Sequence, residues 1–446
     1  MNLPERRDIL IRGAYVMTMD PELGDLKAGD VHVQGDRIAN VGQGLSAAGA
    51  VEIDGGGMIV LPGLVDTHTH LWTSQMRGRF GDTPDSIYFR TRNRLAKGYT
   101  AADMYHGSRL GATECVFSGI TTAWDFCHNA AGSDFILACL KGLGESGLRA
   151  RFLMGATPTM HPTEPMDLDL LRGLVKDWAI VAGPSPLTLG LAWRGPLGVT
   201  GIEPDRKASP AVAVARSEFE AARSLGLPIA VHVSGINAAA QFEGLVQGNY
   251  LGPDVQLIHL SNATSSQLRI VAETDTAVSL TPYTELRVGY GITNLGDYLD
   301  SGARVGVGID STSLAGGADL FGVLKLFQLL EAGRKKDELA ISARRLLELA
   351  TIAGARAIGM EAEIGSLTPG KKADVIMVDP RAINLGMFAD DPTHLLVEAA
   401  RPHNVDTVVV DGRILKRHGK LTAVDADQVV REAAQSMREI DRRVSA

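Results

Sequence analysis

The sequence predicts a (β/α)8 TIM barrel, an α/β fold, carrying a small β-sandwich domain built from both chain termini. Three observations carry the prediction. Eight short apolar, β-branched runs recur through the middle of the chain, amphipathic helical patterns fall between them, and shorter alternating runs joined by glycine turns gather at the two ends. At 446 residues the chain is long for one ordinary domain and suits a large domain with a smaller companion. A doubly wound open sheet is the rival architecture, since it uses the same alternation.

Near the N-terminus, residues 9–19, 30–34, 37–41 and 51–53 read as short strands, with turns at Gly35-Asp36 and Gly55-Gly56-Gly57. The eight barrel strands are predicted at 59–65, 120–126, 150–156, 187–193, 228–233, 255–260, 276–280 and 304–309. Helical spacing is clearest at 209–225, ended by Gly226, and at 320–332. Residues 373–378, 407–410 and 413–415 alternate again, with Asp411-Gly412 as a hairpin turn, and a last helix spans 426–443. Termini of a domain tend to meet, so residues 1–60 and 361–446 are expected to share one β-domain around a barrel at 61–360.

Composition narrows the function. Apolar residues make up 45% and charged residues 22%, the balance of a soluble globular chain. The net charge is −8 and no basic block occurs, which argues against nucleic acid and anionic membranes as partners and for a small-molecule substrate. Cys115, Cys127 and Cys139 are too few and too far apart for a disulfide framework or a C-x-x-C metal knuckle. The first residues mix Glu5, Arg6, Arg7 and Asp8 without an apolar core, and no run of 18 apolar residues exists. A cytoplasmic protein is expected.

The strongest local signal is Val65-Asp66-Thr67-His68-Thr69-His70 at a strand end. Residues i and i+2 of a strand face the same side, so His68 and His70 can reach one ion. Alone, H-x-H is a common motif. Three more polar residues stand where later strands run out: His232, His259 and Asp310. In a barrel, those ends form the face that carries active sites. Singly, each histidine reads as a satisfied core residue and the aspartate as a helix cap. Jointly, burying all of them is costly unless they bind something.

The chain resembles the amidohydrolase superfamily, in its chlorohydrolase and cytosine-deaminase-like branch, a group of metal-dependent hydrolases. The resemblance runs through Leu61-Pro62-Gly63-Leu64-Val65-Asp66-Thr67-His68-Thr69-His70, Gly119-Ile120-Thr121-Thr122 and Ile364-Gly365-Ser366-Leu367-Thr368-Pro369-Gly370-Lys371-Lys372-Ala373-Asp374. It implies metal ligation by His68, His70, His232 and Asp310, with His259 contacting the activated water or the substrate. Two departures matter. Binuclear relatives carry a carboxylated lysine after the fourth strand, and no lysine lies between Lys176 and Lys207 here, so one divalent ion is expected. Zn2+ is the first choice, with Fe2+, Mn2+ and Co2+ compatible with the ligand set. Deaminases of the branch also carry a proton-shuttling glutamate three residues after the fifth-strand histidine, where this chain has Gly235.

The resulting expectation is hydrolysis of a non-peptide C–N bond in a small cyclic or aromatic compound, by deamination or by ring or amide hydrolysis. Asp310 would act as general base and His259 would steady negative charge. Glu285 is a candidate for protonating the leaving group or binding substrate, against a plain solvated loop carboxylate. Trp72, Gln75, Trp124, Trp193 and Tyr283 are the candidate substrate-binding residues. Asp125 and His128 read equally as supports for the metal histidines or as helix caps. Loss of another leaving group (halide, alkylamine or thiol) and a non-catalytic scaffold are the alternatives. A homo-oligomer is expected for this class of fold.

Overall fold

A computed structural model describes residues 3–158, 160–161, 163–196 and 212–445. Eight parallel strands form the barrel in sequential order: β1 (Leu64–Thr69), β2 (Ile120–Cys127), β3 (Arg149–Gly155), β4 (Leu187–Trp193), β5 (Ile229–Val233), β6 (Val255–His259), β7 (Ala277–Leu280) and β8 (Arg304–Val307). Their short, β-branched character suits strands covered on both faces. Every described residue of β2, β6 and β7 is buried. The ring closes just past β8, where Asp310 N donates to His68 O at 2.8 Å and His70 N donates to Asp310 O at 2.6 Å. Barrel closure and the convergence of the candidate ligands are therefore the same event.

One predicted strand divides. The run at 59–65 breaks at Gly63, packed so closely on the Thr121 side chain that a Cβ there would sit 2.0 Å from Thr121 Oγ1. Ile59–Pro62 joins the terminal sheet, and β1 begins only at Leu64. The β-domain from both termini is one mixed nine-stranded sheet. Its centre is the antiparallel pairing of Ile59–Pro62 with Val375–Val378, which brings the two halves of the chain together. Ile9, Ile11, Val31, Val33, Ile53, Val60, Val375, Met377 and Val409 share its core, so the sheet curls around its own apolar side chains.

The predicted helix at 320–332 runs Leu320–Lys335, and the predicted helix at 209–225 is helical over Val212–Ser224, with residues 209–211 outside the described set. The last helix, Ala426–Ser445, leaves the β-domain and docks on barrel helix Ala101–Phe117. There Ser436 donates to Asp103 at 2.6 Å and Arg109 pairs with Glu432 at 2.9 Å. Beneath the barrel, Arg149 forks onto Asp374 at 2.7 and 3.0 Å and reaches Asp411 at 3.3 Å, tying the two domains. No described helix is long and apolar enough to cross a membrane.

Candidate metal centre

The end of β1 presents His68 and His70 to the same face, as the two-residue period of a strand requires. His68 Nε2 and His70 Nε2 each lie 3.1 Å from Asp310 Oδ1. His68, His232, His259 and Asp310 each offer one ligand atom within 4.8 Å of the others. His70 stacks on His232 with ring centroids 5.4 Å apart. All five groups named in the sequence thus meet at one point. The tightest set substitutes His259 for His70, with His70 held against Asp310 beside it.

Three residues at this end of the barrel carry backbone strain. His259 has φ 69°, Leu260 φ 44° and Asp310 φ 63°, left-handed values that non-glycine residues rarely adopt. Such strain persists where surrounding structure imposes it, commonly at functional sites. At Gly308 the reason is space: a Cβ would lie 2.7 Å from His68 O and 2.8 Å from both Asp66 Oδ1 and His68 N.

The donor set fits a divalent cation. His70 Nδ1 donates to Phe126 O at 2.7 Å, which fixes the ring and aims Nε2 at Asp310 Oδ1. Burial pushes the His68 imidazole down to about 3, outweighing the raising effect of Asp310. Burial likewise holds His232 well below its ordinary value, and the neighbouring imidazoles add to this. Burial alone would raise Asp310, yet the nitrogens of His68 and His70 hold its carboxyl well below the usual range. Neutral imidazoles and an ionised carboxylate are the forms that ligate zinc and related ions.

Supporting residues surround them. Asp66 accepts from His68 N at 3.2 Å and Ile309 N at 3.1 Å, stitching β1 to the segment after β8, and burial raises its pKa well above normal. Asp125 accepts from Leu71 N at 2.9 Å, fixing the turn after His70, and burial pushes it up to about 6. His128 receives Trp72 Nε1 at 3.2 Å and lies against His70 at 4.3 Å. Glu285 is no solvated loop carboxylate, being only 1% exposed. It accepts from Thr281 N at 2.8 Å and from the Thr293 hydroxyl, and stands 3.3 Å from His259 Nδ1. It sits behind His259, away from the cavity.

The cavity over the cluster is lined by His70, Tyr88, Phe89, Arg92, Phe126, His128, His232, Ser234, His259, Thr284, Tyr290 and Asp310. Its innermost space is about 40 Å³, room for an ion and a water or two.

None of the five residues expected to bind substrate lines it. Trp72 is fully buried behind His128, against Tyr99. Gln75 is turned to Asp103 O at 3.2 Å. Trp124 points into the barrel one layer down, under the Arg151 guanidinium at 5.0 Å, at a pocket of the opposite barrel mouth. Trp193 faces outward, donating to Ala215 O at 3.2 Å and packing on Phe219 and Tyr250. Tyr283 lies beside Gly322 and Asp319. Strand ends alternate inward and outward, and proximity to the rim does not say which way a side chain turns. Helix Tyr88–Ala96 contributes Tyr88, Phe89 and Arg92 to the actual wall. Its i, i+4 spacing of Tyr88 and Arg92 was the available signal.

Comparison with known proteins agrees with this geometry. The model described as the Amidohydrolase family matches residues 59–415. The chain is 30% identical to 5'-deoxyadenosine deaminase of Methanosarcina acetivorans, covering 98% of this chain and 100% of the relative. It is 29% identical to 5-methylthioadenosine/S-adenosylhomocysteine deaminase of Moorella thermoacetica, covering 96% and 99%. Among solved structures, a mutant of atrazine chlorohydrolase from Arthrobacter aurescens TC1 complexed with zinc and atraton superposes with TM-score 0.84 at 23% identity, covering 96% and 100%. A zinc-bound adenosine deaminase from Xanthomonas campestris gives TM-score 0.81 at 21% identity, covering 98% and 100%.

Proposed function

Because this chain belongs to the amidohydrolase family, we propose that it hydrolyses a non-peptide C–N bond of a small ring-bearing compound, with Asp310 carrying the proton in both directions. The observation that carries this reading is the lining of the cavity. Among the described residues there, Asp310 is the sole carboxylate, beside the convergent imidazoles of His70, His232 and His259.

One divalent ion, zinc by first choice, would be held by His68, His70, His232 and Asp310, and supplies a Lewis acid that makes water nucleophilic near neutral pH. Asp310 accepts the proton as the nucleophile forms. His259, braced from behind by Glu285 and by the Thr281 hydroxyl at 3.0 Å, faces the negative charge that develops on the attacked centre. Asp310 then returns its proton to the departing nitrogen. Gly235, with φ 68°, offers no carboxylate for that last step, which favours amide or lactam cleavage, where one carboxylate can serve as base and then acid. Aromatic walls from Tyr88, Phe89, Phe126 and Tyr290 suit a flat ring. The three unpaired, buried cysteines support a cytoplasmic setting.

Deamination of an adenine nucleoside is the second reading, favoured by the deaminases that match nearly the whole chain. Zinc-loaded enzyme incubated with lactams, cyclic amides and 5'-deoxyadenosine separates the two. Ring-opened acid without ammonia supports the first, ammonia with an intact ring supports the second, and no turnover of any C–N bond across the panel overturns both.

A further inference from the structure

Three arginines of the described chain are buried, and they differ in their partners. Arg149 is forked onto Asp374 and Asp411, and Arg413 is paired with Asp411 at 2.6 Å. Arg92 is the most buried, at 2% exposure, and meets no carboxylate among the described residues. Its guanidinium donates to Asn93 Oδ1 at 3.1 and 2.7 Å, abuts His128 Nε2, and lies 5.7 and 5.8 Å from the Tyr88 and Phe89 rings. Each of these partners is formally neutral. A buried guanidinium stays charged and is costly to hold without a counter-charge.

Arg92 also lines the same cavity as His70, His232, His259 and Asp310. With a divalent ion bound, the charges facing that space are the ion and Arg92 against Asp310 alone among the described lining residues. The cavity is therefore net positive. Tyr88 and Phe89 hold the guanidinium plane by cation–π contact; its Nε–Nη2 edge meets Asn93 Oδ1, so an incoming anion is received at the Nη1–Nη2 edge.

We infer that the substrate is a ring compound bearing a carboxylate, and that Arg92 receives this group while the ring's C–N bond lies over the metal centre. This rests on the proposed hydrolytic function for the location of the substrate. Arg92 is then a specificity-determining residue, and the missing counter-charge is supplied by the substrate itself. A carboxylate fits the fork bidentately and is small enough for this narrow site.

The test is calorimetric titration of zinc-loaded protein with phenylacetate and with its neutral analogue phenylacetone. The wild-type protein is expected to prefer phenylacetate by about tenfold or more, the scale of one charge-assisted contact. In Arg92→Met that ratio falls to within about twofold of unity, with zinc content unchanged. Arg92→Lys keeps the charge but loses the fork, and gives an intermediate ratio if the first variant does not fold. A wild-type protein without preference, or a preference that survives undiminished in either variant (the carboxylate then being read by zinc), overturns the inference. Hydrolysis of uncharged lactams without carboxylate preference would sink this inference and leave the hydrolase standing. Carboxylate preference without turnover of any C–N bond would do the reverse.

Discussion

Replacing Gly308 by alanine tests whether barrel closure sets the metal geometry. The new Cβ would meet His68 O at 2.7 Å and His68 N and Asp66 Oδ1 at 2.8 Å, two of them backbone atoms of β1 that cannot swing away. Ordinary contact at such atoms needs about half an ångström more. Gly308 N is itself anchored to Leu280 O at 3.0 Å, so relief comes from parting the segment after β8 from β1. That parting acts directly on the 2.8 Å bond from Asp310 N to His68 O and on the 3.1 Å spacing of Asp310 to His68. Zinc sites tolerate about 0.2 Å in ligand distance. Gly308→Ala should therefore weaken zinc binding by about 10- to 100-fold and cost about 1–3 kcal/mol of stability. Competition with a chelator reads the first and denaturant unfolding the second. Gly173→Ala is the control, since its Cβ enters open space on helix Leu168–Lys176 and should stabilise by about 0.5–1 kcal/mol. Zinc affinity within a factor of about two of wild type in Gly308→Ala would refute the reasoning.

Three further outcomes are expected. Glu285→Gln should lower turnover by about 10- to 100-fold with zinc content intact, because Glu285 braces His259 from behind; near-normal kcat would remove it from the chemistry. Metal-free protein should lose stability as pH falls from about 6.5 toward 3. His68 takes up its proton in the unfolded chain near the ordinary value and in the folded chain only near 3, so the unfolded state binds more protons across that window. The loss is on the order of 5 kcal/mol at most, and urea titrations of His68→Asn should show a correspondingly flatter profile. Trp193→Ala should cost about 3–5 kcal/mol of stability while leaving KM for any accepted substrate unchanged, since Trp193 packs on Phe219 and Tyr250 outside the barrel; a severalfold rise in KM would return it to the substrate site.

Much of the architecture was legible because strand periodicity and strand-end chemistry are local. His68, His70, His232, His259 and Asp310 each close an apolar run, and a parallel barrel sends all such ends to one face. The division at Gly63 was not legible, because Ile59–Pro62 and β1 are both apolar and only the pairing with Val375–Val378 separates them. The aromatic residues were misplaced for a related reason. A tryptophan near a strand end faces the cavity, the lower barrel layer or the helices according to its register against neighbouring strands, which no local pattern states. Arg92 escaped notice because a lone arginine in a helix reads as surface, and its burial depends on the cavity that helix Tyr88–Ala96 helps to close.

The claim on which everything else depends is one catalytic ion held where β1 and the segment after β8 meet. Metal content of chelator-free protein, measured by mass spectrometry after zinc titration and removal of excess, tests it directly. One equivalent per chain is expected, falling to near zero in Asp310→Ala. Less than half an equivalent, two tightly held equivalents, or full retention in Asp310→Ala would contradict it.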